Sequence, residues 1–167
     1  MRILVVASFN KGRFSPFLLE QAKALESLGC ELLFFGLQGK GVGGYLRNLP
    51  ALNSQIEVFQ PAVIHAHYGL SGLLANTQRR VPVVTTYHGS DINDKKVLPF
   101  SRMAMRLSAW NVFVSQKTMD IVSPKRNFVL QPCGIDLCDL QLTSKEEARG
   151  KMHMKARRKY ILFAGAF

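Results

Sequence analysis

Acidic residues are scarce in this sequence: 11 Asp and Glu stand against 22 Lys and Arg in 167 residues, a formal net charge of +11. Such a surplus favours a polyanionic neighbour, whether anionic lipid, nucleotide or nucleic acid, and does not choose among them. Cysteine is nearly absent. Cys30, Cys133 and Cys138 are odd in number and show no C-x-x-C spacing, which argues against a disulfide framework or a zinc site and leads us to expect a cytoplasmic protein. Long apolar runs are missing as well. Residues 3–7 and 32–35 are among the longest, far below the roughly 18 to 20 needed to cross a bilayer. The first run is also too short for a signal peptide and breaks at Ser8-Phe9-Asn10, so it reads as an opening strand. Internal repeats and low-complexity tracts are lacking too. With 47% hydrophobic and 20% charged residues, the chain has room for one substantial core and the opening of another.

What is present is an alternation of strand-like and helix-like segments. Strands are expected at residues 3–7, 31–35, 63–67, 81–86, 111–115 and 127–131. Several are continuously apolar, as strands covered on both faces should be. Between the first two, Ser15 offers a cap, Pro16 a first helical position and Gly29 a left-handed stop, while Phe14, Leu18, Ala22, Leu25 and Leu28 recur at helical spacing. Asn48 and Pro50 open a second helix whose stripe is Leu49, Leu52, Ile56 and Phe59. Shorter helices are expected near residues 71–79, 99–108 and 116–123. The pattern predicts an α/β fold, a parallel sheet with helices on both faces.

After Cys138 the texture changes. Residues 144–159 are highly charged and helix-permissive, with Lys151, Lys155, Arg157, Arg158 and Lys159 crowded together. This reads as a solvated linker or as a segment drawn to an anionic membrane surface. Residues 160–165 then read as a new apolar strand. We therefore divide the chain into a domain at 1–140, a linker at 141–159 and the first strand of a second domain at 160–167, with the alternative that this strand closes the first sheet.

In open parallel sheets ligands gather outside the carboxyl ends of the strands. After the first strand, Gly12 lies between Lys11 and Arg13 ahead of a helix start, a place for a phosphate or sugar hydroxyls; it lacks G-x-G-x-x-G spacing. The run Gly39-Lys40-Gly41-Val42-Gly43-Gly44 is not a phosphate loop either, and reads as a flexible lid or a binding loop. In Ile64-His65-Ala66-His67-Tyr68-Gly69 the two histidines share a strand face. No further ligand stands at metal spacing, so no metal is expected. His67 and Tyr68, at the strand end, are placed near a substrate, and His65, deeper, as a hydrogen-bonded core residue. In Thr85-Thr86-Tyr87-His88-Gly89-Ser90-Asp91 an apolar strand delivers His88 onto a turn at Gly89, facing a cleft, where an imidazole suits sugar hydroxyls or acid–base work.

These residues carry a resemblance. P-A-V-I-H-A-H-Y-G from Pro61, V-V-T-T-Y-H-G-S-D from Val83, F-V-S from Phe113, P-C-G-I-D from Pro132 and the closing I-L-F-A-G-A-F together look like the N-terminal domain of a retaining GT-B glycosyltransferase, of the bacterial group 1 or family 4 type. The resemblance implies one Rossmann-like half of a GT-B fold. His88 matches the histidine near the transferred sugar and serves as the catalytic candidate. Gly12 matches the glycine-loop position beside the donor phosphates and acceptor, and Asp136 the aspartate of the G-[VI]-D turn. Lys11, Arg13, His67, Tyr68 and Gly89 complete the substrate-binding candidates. The implied partners are a nucleotide-sugar donor, itself a substrate and not a cofactor, and a glycan or lipid-linked acceptor in cell-surface polysaccharide synthesis, at the inner face of the plasma membrane. The resemblance places the donor machinery in a second domain, so the chain alone is expected to be inactive. The alternative is a non-catalytic basic module for anionic membrane or nucleic acid. Against nucleic acid, aromatics do not interleave with the basic tail. A nucleotide-dependent oxidoreductase is disfavoured by the missing glycine fingerprint.

Overall fold

The structure, a computed structural model, describes residues 1–134, 143–155 and 157–163. The chain forms two compact units, Met1–Ile135 and Asp136–Phe167.

In the first unit the elements run β1 (Arg2–Ser8), α1 (Pro16–Ser27), β2 (Glu31–Leu37), α2 (Gly41–Leu46), α3 (Leu49–Phe59), β3 (Val63–His67), α4 (Gly69–Ala75), β4 (Val83–Tyr87), α5 (Ser90–Asn93), α6 (Leu98–Leu107), β5 (Trp110–Phe113), α7 (Gln116–Val122) and β6 (Phe128–Leu130). The six strands form one parallel sheet in the order β2-β1-β3-β4-β5-β6. This is the expected Rossmann-like α/β fold.

β1 shows why the run of apolar residues makes a central strand. Leu4 and Val6 pack on one face with Leu52 and Ile56 of α3 and Leu74 and Ala75 of α4, while Ile3, Val5 and Ala7 pack on the other with Leu18 of α1. Burying each Leu, Ile or Val among them stabilises the fold by about 1.5–3 kcal/mol, and a residue of either parity finds a partner only because both faces are covered. The sheet face beside α1 also carries the odd-numbered positions of β3, which include His65 and His67.

Two helix starts differ from expectation. Ser15 makes no side-chain cap bond; its carbonyl accepts from the Leu18 and Leu19 amides instead, and Pro16 at the first position already fixes the helical φ. Asn48 is in a helical conformation, and its amide nitrogen donates to the carbonyls of Gln38, Gly44 and Tyr45, so it staples the preceding loop. Of the glycine run read as a lid or binding loop, residues 41–44 are folded into α2, while Gly39 and Lys40 precede it. Asn10 holds it from the other side, donating to the Gly39 carbonyl and accepting from the Gly39 amide, both at 2.8 Å.

α4 packs unusually close to its neighbours. A Cβ on Gly69 would overlap Ser101 of α6, so only a hydrogen there lets the two helices meet. Behind this contact lies a buried polar chain: Thr85 Oγ1 to Ser108 Oγ at 2.8 Å, and Asn76 Nδ2 to Ser108 Oγ at 3.0 Å.

In the second unit α8 (Lys145–Lys151) is capped by Ser144, whose Oγ accepts from the Glu147 amide at 3.1 Å. Residues 160–163 belong to no strand, and Ile161, Leu162 and Phe163 are exposed; 164–167 lie outside the described residues. Among the described residues no helix is long and apolar enough to cross a membrane.

Candidate functional site

The strand order creates the site. From β1 the chain moves outward to β2, then returns to place β3 on the other side of β1. The loops leaving the carboxyl ends of β1 and β3 therefore diverge, and a crevice opens between them. A cavity of about 650 Å³ occupies this point. Ala7, Ser8, Lys11, Arg13 and Phe14 from the β1 end form one wall, and Tyr68, Leu70, Ser90 and Asp91 from the ends of β3 and β4 form the other. Tyr45 of α2 and Asp94 and Val97 before α6 complete the rim.

The first wall is held by packing and ends in charge. Phe14 packs in tilted contacts between Phe9 at 4.8 Å and Phe34 at 5.3 Å, which anchors the loop below its tip. Gly12 at the tip is exposed, at φ 67°, and its amide donates to the Phe9 carbonyl. Lys11 and Arg13 on either side are exposed and join no ion pair among the described residues.

The second wall is a hydrogen-bonded frame around Asp91, which is 3% exposed. Its Oδ1 accepts from the His88 amide at 3.1 Å and the Gly89 amide at 2.9 Å, and its Oδ2 accepts from the Gly69 amide at 3.0 Å. One carboxylate thus ties the turn after β4 to the turn after β3. Burial raises its pKa, opposed by these backbone bonds. Both turns need unusual backbone: Gly89 sits at φ 104°, open to glycine alone, and Tyr68 at φ 72°. A non-glycine residue there stores roughly 1–3 kcal/mol of strain that the surrounding frame must offset.

Three histidines lie inside this wall. His65 Nε2 meets Thr86 Oγ1 at 2.8 Å, and His67 Nδ1 meets His88 Nε2 at 3.0 Å. The His88 ring is flanked by Phe17 of α1 at 4.4 Å and Tyr68 at 4.7 Å. Burial first, then the neighbouring His65, pushes the His88 pKa down to about 4; burial alone takes His65 to about 4, and burial, His65 and His88 together lower His67. At neutral pH all three are uncharged. His88 is therefore a weak proton acceptor but a good hydrogen-bond partner for a hydroxyl, and positive charge at the cavity comes from Lys11 and Arg13.

Of the candidates read from the sequence, Lys11, Arg13 and Tyr68 line the cavity. Gly12 sits at the tip between two of them, and His88 and Gly89 lie directly behind Tyr68 and Asp91. His67 is 1% exposed and reaches the site only through His88. Asp136 falls outside the described residues, as does Cys138, while Cys30 and Cys133 are free thiols. Among the described residues no group of three or more His, Cys, Asp or Glu is arranged to hold a metal. Sequence reasoning missed Asp91. The available signal was a carboxylate two residues past Gly89 in the first turn of a short helix, where free amides need an acceptor.

A profile of the glycosyltransferase family 4 domain matches residues 33–138, well over half of the chain. The chain belongs to glycosyltransferase family 4. No curated protein sequence matches it. Among solved structures, sucrose-phosphate synthase from Thermosynechococcus elongatus aligns with a TM-score of 0.75 at 14% identity, over 94% of this chain and 53% of its own. UDP-GlcNAc 2-epimerase from Neisseria meningitidis, bound to UDP-GlcNAc, aligns with a TM-score of 0.52 at 13% identity, over 78% of this chain and 45% of its own. At such identities the likeness is one of fold, and the family 4 chain spans about half the length of these structures.

Proposed function

We propose that this family 4 chain is the acceptor-side part of a retaining GT-B glycosyltransferase that moves a hexosyl unit from a nucleotide-sugar to a glycan or glycolipid in cell-surface polysaccharide synthesis. The observation that carries the reading is the cavity at the β1/β3 switch point, which sets two exposed cations against a wall framed by Asp91, with the neutral imidazole of His88 behind it. In this reading residues 141–159 link to a nucleotide-sugar domain that opens at 160–167. Support for a nucleotide-sugar comes from the family and from the epimerase of similar fold, which carries UDP-GlcNAc.

The residues divide the work. Lys11 and Arg13 balance the negative charge of a diphosphate as it leaves. Phe14 and Tyr68 supply apolar lining beside the sugar, and the inner wall behind them excludes water. His88 hydrogen-bonds a hydroxyl of the transferred sugar, and departure of the diphosphate assists the acceptor's attack on the same face through an oxocarbenium-like state. The enzyme acts in the cytoplasm, at the inner face of the plasma membrane. Lys95, Lys96, Arg102 and Arg106, exposed beside Met103 and Leu107, support attraction to an anionic bilayer, each cation contributing about 1 kcal/mol near the surface.

The test is hexosyl transfer from a panel of nucleotide-sugars by the polypeptide as its gene encodes it, with His88→Ala alongside. The expected result is transfer that falls roughly tenfold to several hundredfold in the variant, alongside a stability loss of about 1–3 kcal/mol from the broken His67 bond that leaves it folded under assay conditions. An unchanged rate with lowered stability makes His88 scaffold and removes it from the reaction.

A further inference from the structure

We propose that His67 is a positioning residue for His88: the Nδ1 to Nε2 hydrogen bond between them fixes one tautomer of His88, the Nε2–H form, so that its Nδ1 meets the substrate as a lone-pair acceptor for a sugar hydroxyl. This rests on the site reading above only for its catalytic consequence.

The geometry leaves His88 few choices. Its Nε2 lies 3.0 Å from His67 Nδ1, so the inner nitrogen is already used and only Nδ1 remains for a ligand. No hydrogen bond to Nδ1 exists among the described residues. Phe17 and Tyr68 flank the ring at 4.4 and 4.7 Å, and these contacts together with the His67 bond oppose a turn of the ring that would exchange its nitrogens. A neutral imidazole carries one N–H and one lone pair. A single proton must lie between the two rings, and its owner decides whether the unbonded Nδ1 of His88 is a donor or an acceptor. If His88 donates, both rings carry Nε2–H, the form that free histidine prefers, and His88 Nδ1 is an acceptor. If His67 donates, both rings take the less favoured Nδ1–H form. The first arrangement therefore wins unless a neighbour reverses it, and no such neighbour bonds either ring among the described residues.

His67 acts through its bond and ring contact with His88. It is 1% exposed, too deep to touch a sugar, and its place on β3 is set by the parallel pairing with Thr86 of β4. A side chain so placed does not gain or lose substrate contact on mutation; it loosens the ring it holds.

The experiment is long-range ¹H–¹⁵N correlation of the histidine side chains at pH 7 in the wild type, His67→Ala and His67→Asn. Asn keeps a hydrogen-bonding group where Nδ1 was. The expected wild-type result is a neutral His88 with the proton on Nε2 only. In His67→Ala the two tautomers should mix, and in His67→Asn the single form should return. Transfer by the same proteins should fall about tenfold in kcat with KM nearly unchanged in the Ala variant, and recover to within about threefold in the Asn variant. A His88 that is already a tautomer mixture in the wild type, that carries its proton on Nδ1, or that keeps one tautomer in a folded His67→Ala protein overturns the inference. The spectra need no substrate, so they fail or succeed independently of the transferase reading. If His67→Ala does not fold, the wild-type tautomer and the Asn variant decide alone.

Discussion

The two walls of the cavity are built on opposite terms. Across the ends of β3 and β4, polar groups are buried and bonded to one another: Asp91 holds three backbone amides, and His67 holds His88. At the end of β1 the loop is anchored by Phe14, but its two cations, Lys11 and Arg13, stand in solvent without an ion pair among the described residues. One wall spends stability-critical bonds on geometry, and the other keeps its charges free for a ligand. Mutations should therefore separate them, with losses in folding on the wall at the ends of β3 and β4 and losses in ligand affinity on the wall at the end of β1.

The strongest way to break the comparison is Asp91→Ala. It leaves the amides of Gly69, His88 and Gly89 without their acceptor, and a buried donor left unpaired costs about 1–3 kcal/mol. Relaxation and water entry recover part of this, so a loss of roughly 3–5 kcal/mol in urea unfolding is expected. Asp91→Asn should lose about half as much, because one oxygen still accepts while its NH₂ faces a donor. A loss below about 1 kcal/mol for the Ala variant would mean that the frame is not what fixes the turns.

The histidines sharpen it next. His65 and His88 are held near pKa 4 and His67 is lowered as well, burial being the main cause in each. Unfolded, each titrates near 6.5. Between those values the unfolded chain binds more protons, so stability rises with pH there: the contribution is complete above about 6.5 and is lost as pH falls toward 4. One fully buried histidine of this kind accounts for about 2 kcal/mol between pH 7 and pH 5. His65→Gln keeps a partner for Thr86 but does not titrate. Urea unfolding at the two pH values should show that much less pH dependence in the variant, and an unchanged slope would place the titrating groups elsewhere.

The same contrast explains what could be read from the residues alone. β1, β3 and α1 were legible because their signals are local: an unbroken apolar run, a stripe at helical spacing, Pro16 at a first turn and Gly29 at a stop. The turn carrying His88 was legible for the same reason. The role of Asp91 was not, since the amide that completes its frame belongs to Gly69, 22 residues earlier, and the His67–His88 bond spans 21. Only strand pairing brings such groups together. The glycine run at 39–44 misled in the other direction. Its composition disfavours helix by about 1 kcal/mol per residue, yet α2 forms because Tyr45 packs on the core and Asn10 and Asn48 hold its flanks. Tertiary contacts outweighed propensity where no sequence window contained them.

The smallest effect on folding should come from the charged wall, and there the comparison is most easily lost. Lys11→Ala and Arg13→Ala remove exposed side chains with no ion pair among the described residues, so each should change stability by less than about 0.5 kcal/mol. Their influence on a ligand should be larger. A cation a few ångströms from a phosphate near a surface contributes a few kcal/mol at most, and salt reduces it. Each substitution should therefore weaken nucleotide-sugar binding by the intact polypeptide roughly fivefold to fiftyfold in low salt, with the difference from wild type shrinking as salt is raised. Calorimetric titration at two salt concentrations measures both. A loss of affinity that does not respond to salt would mean that these residues shape the loop and do not pair with charge on the ligand.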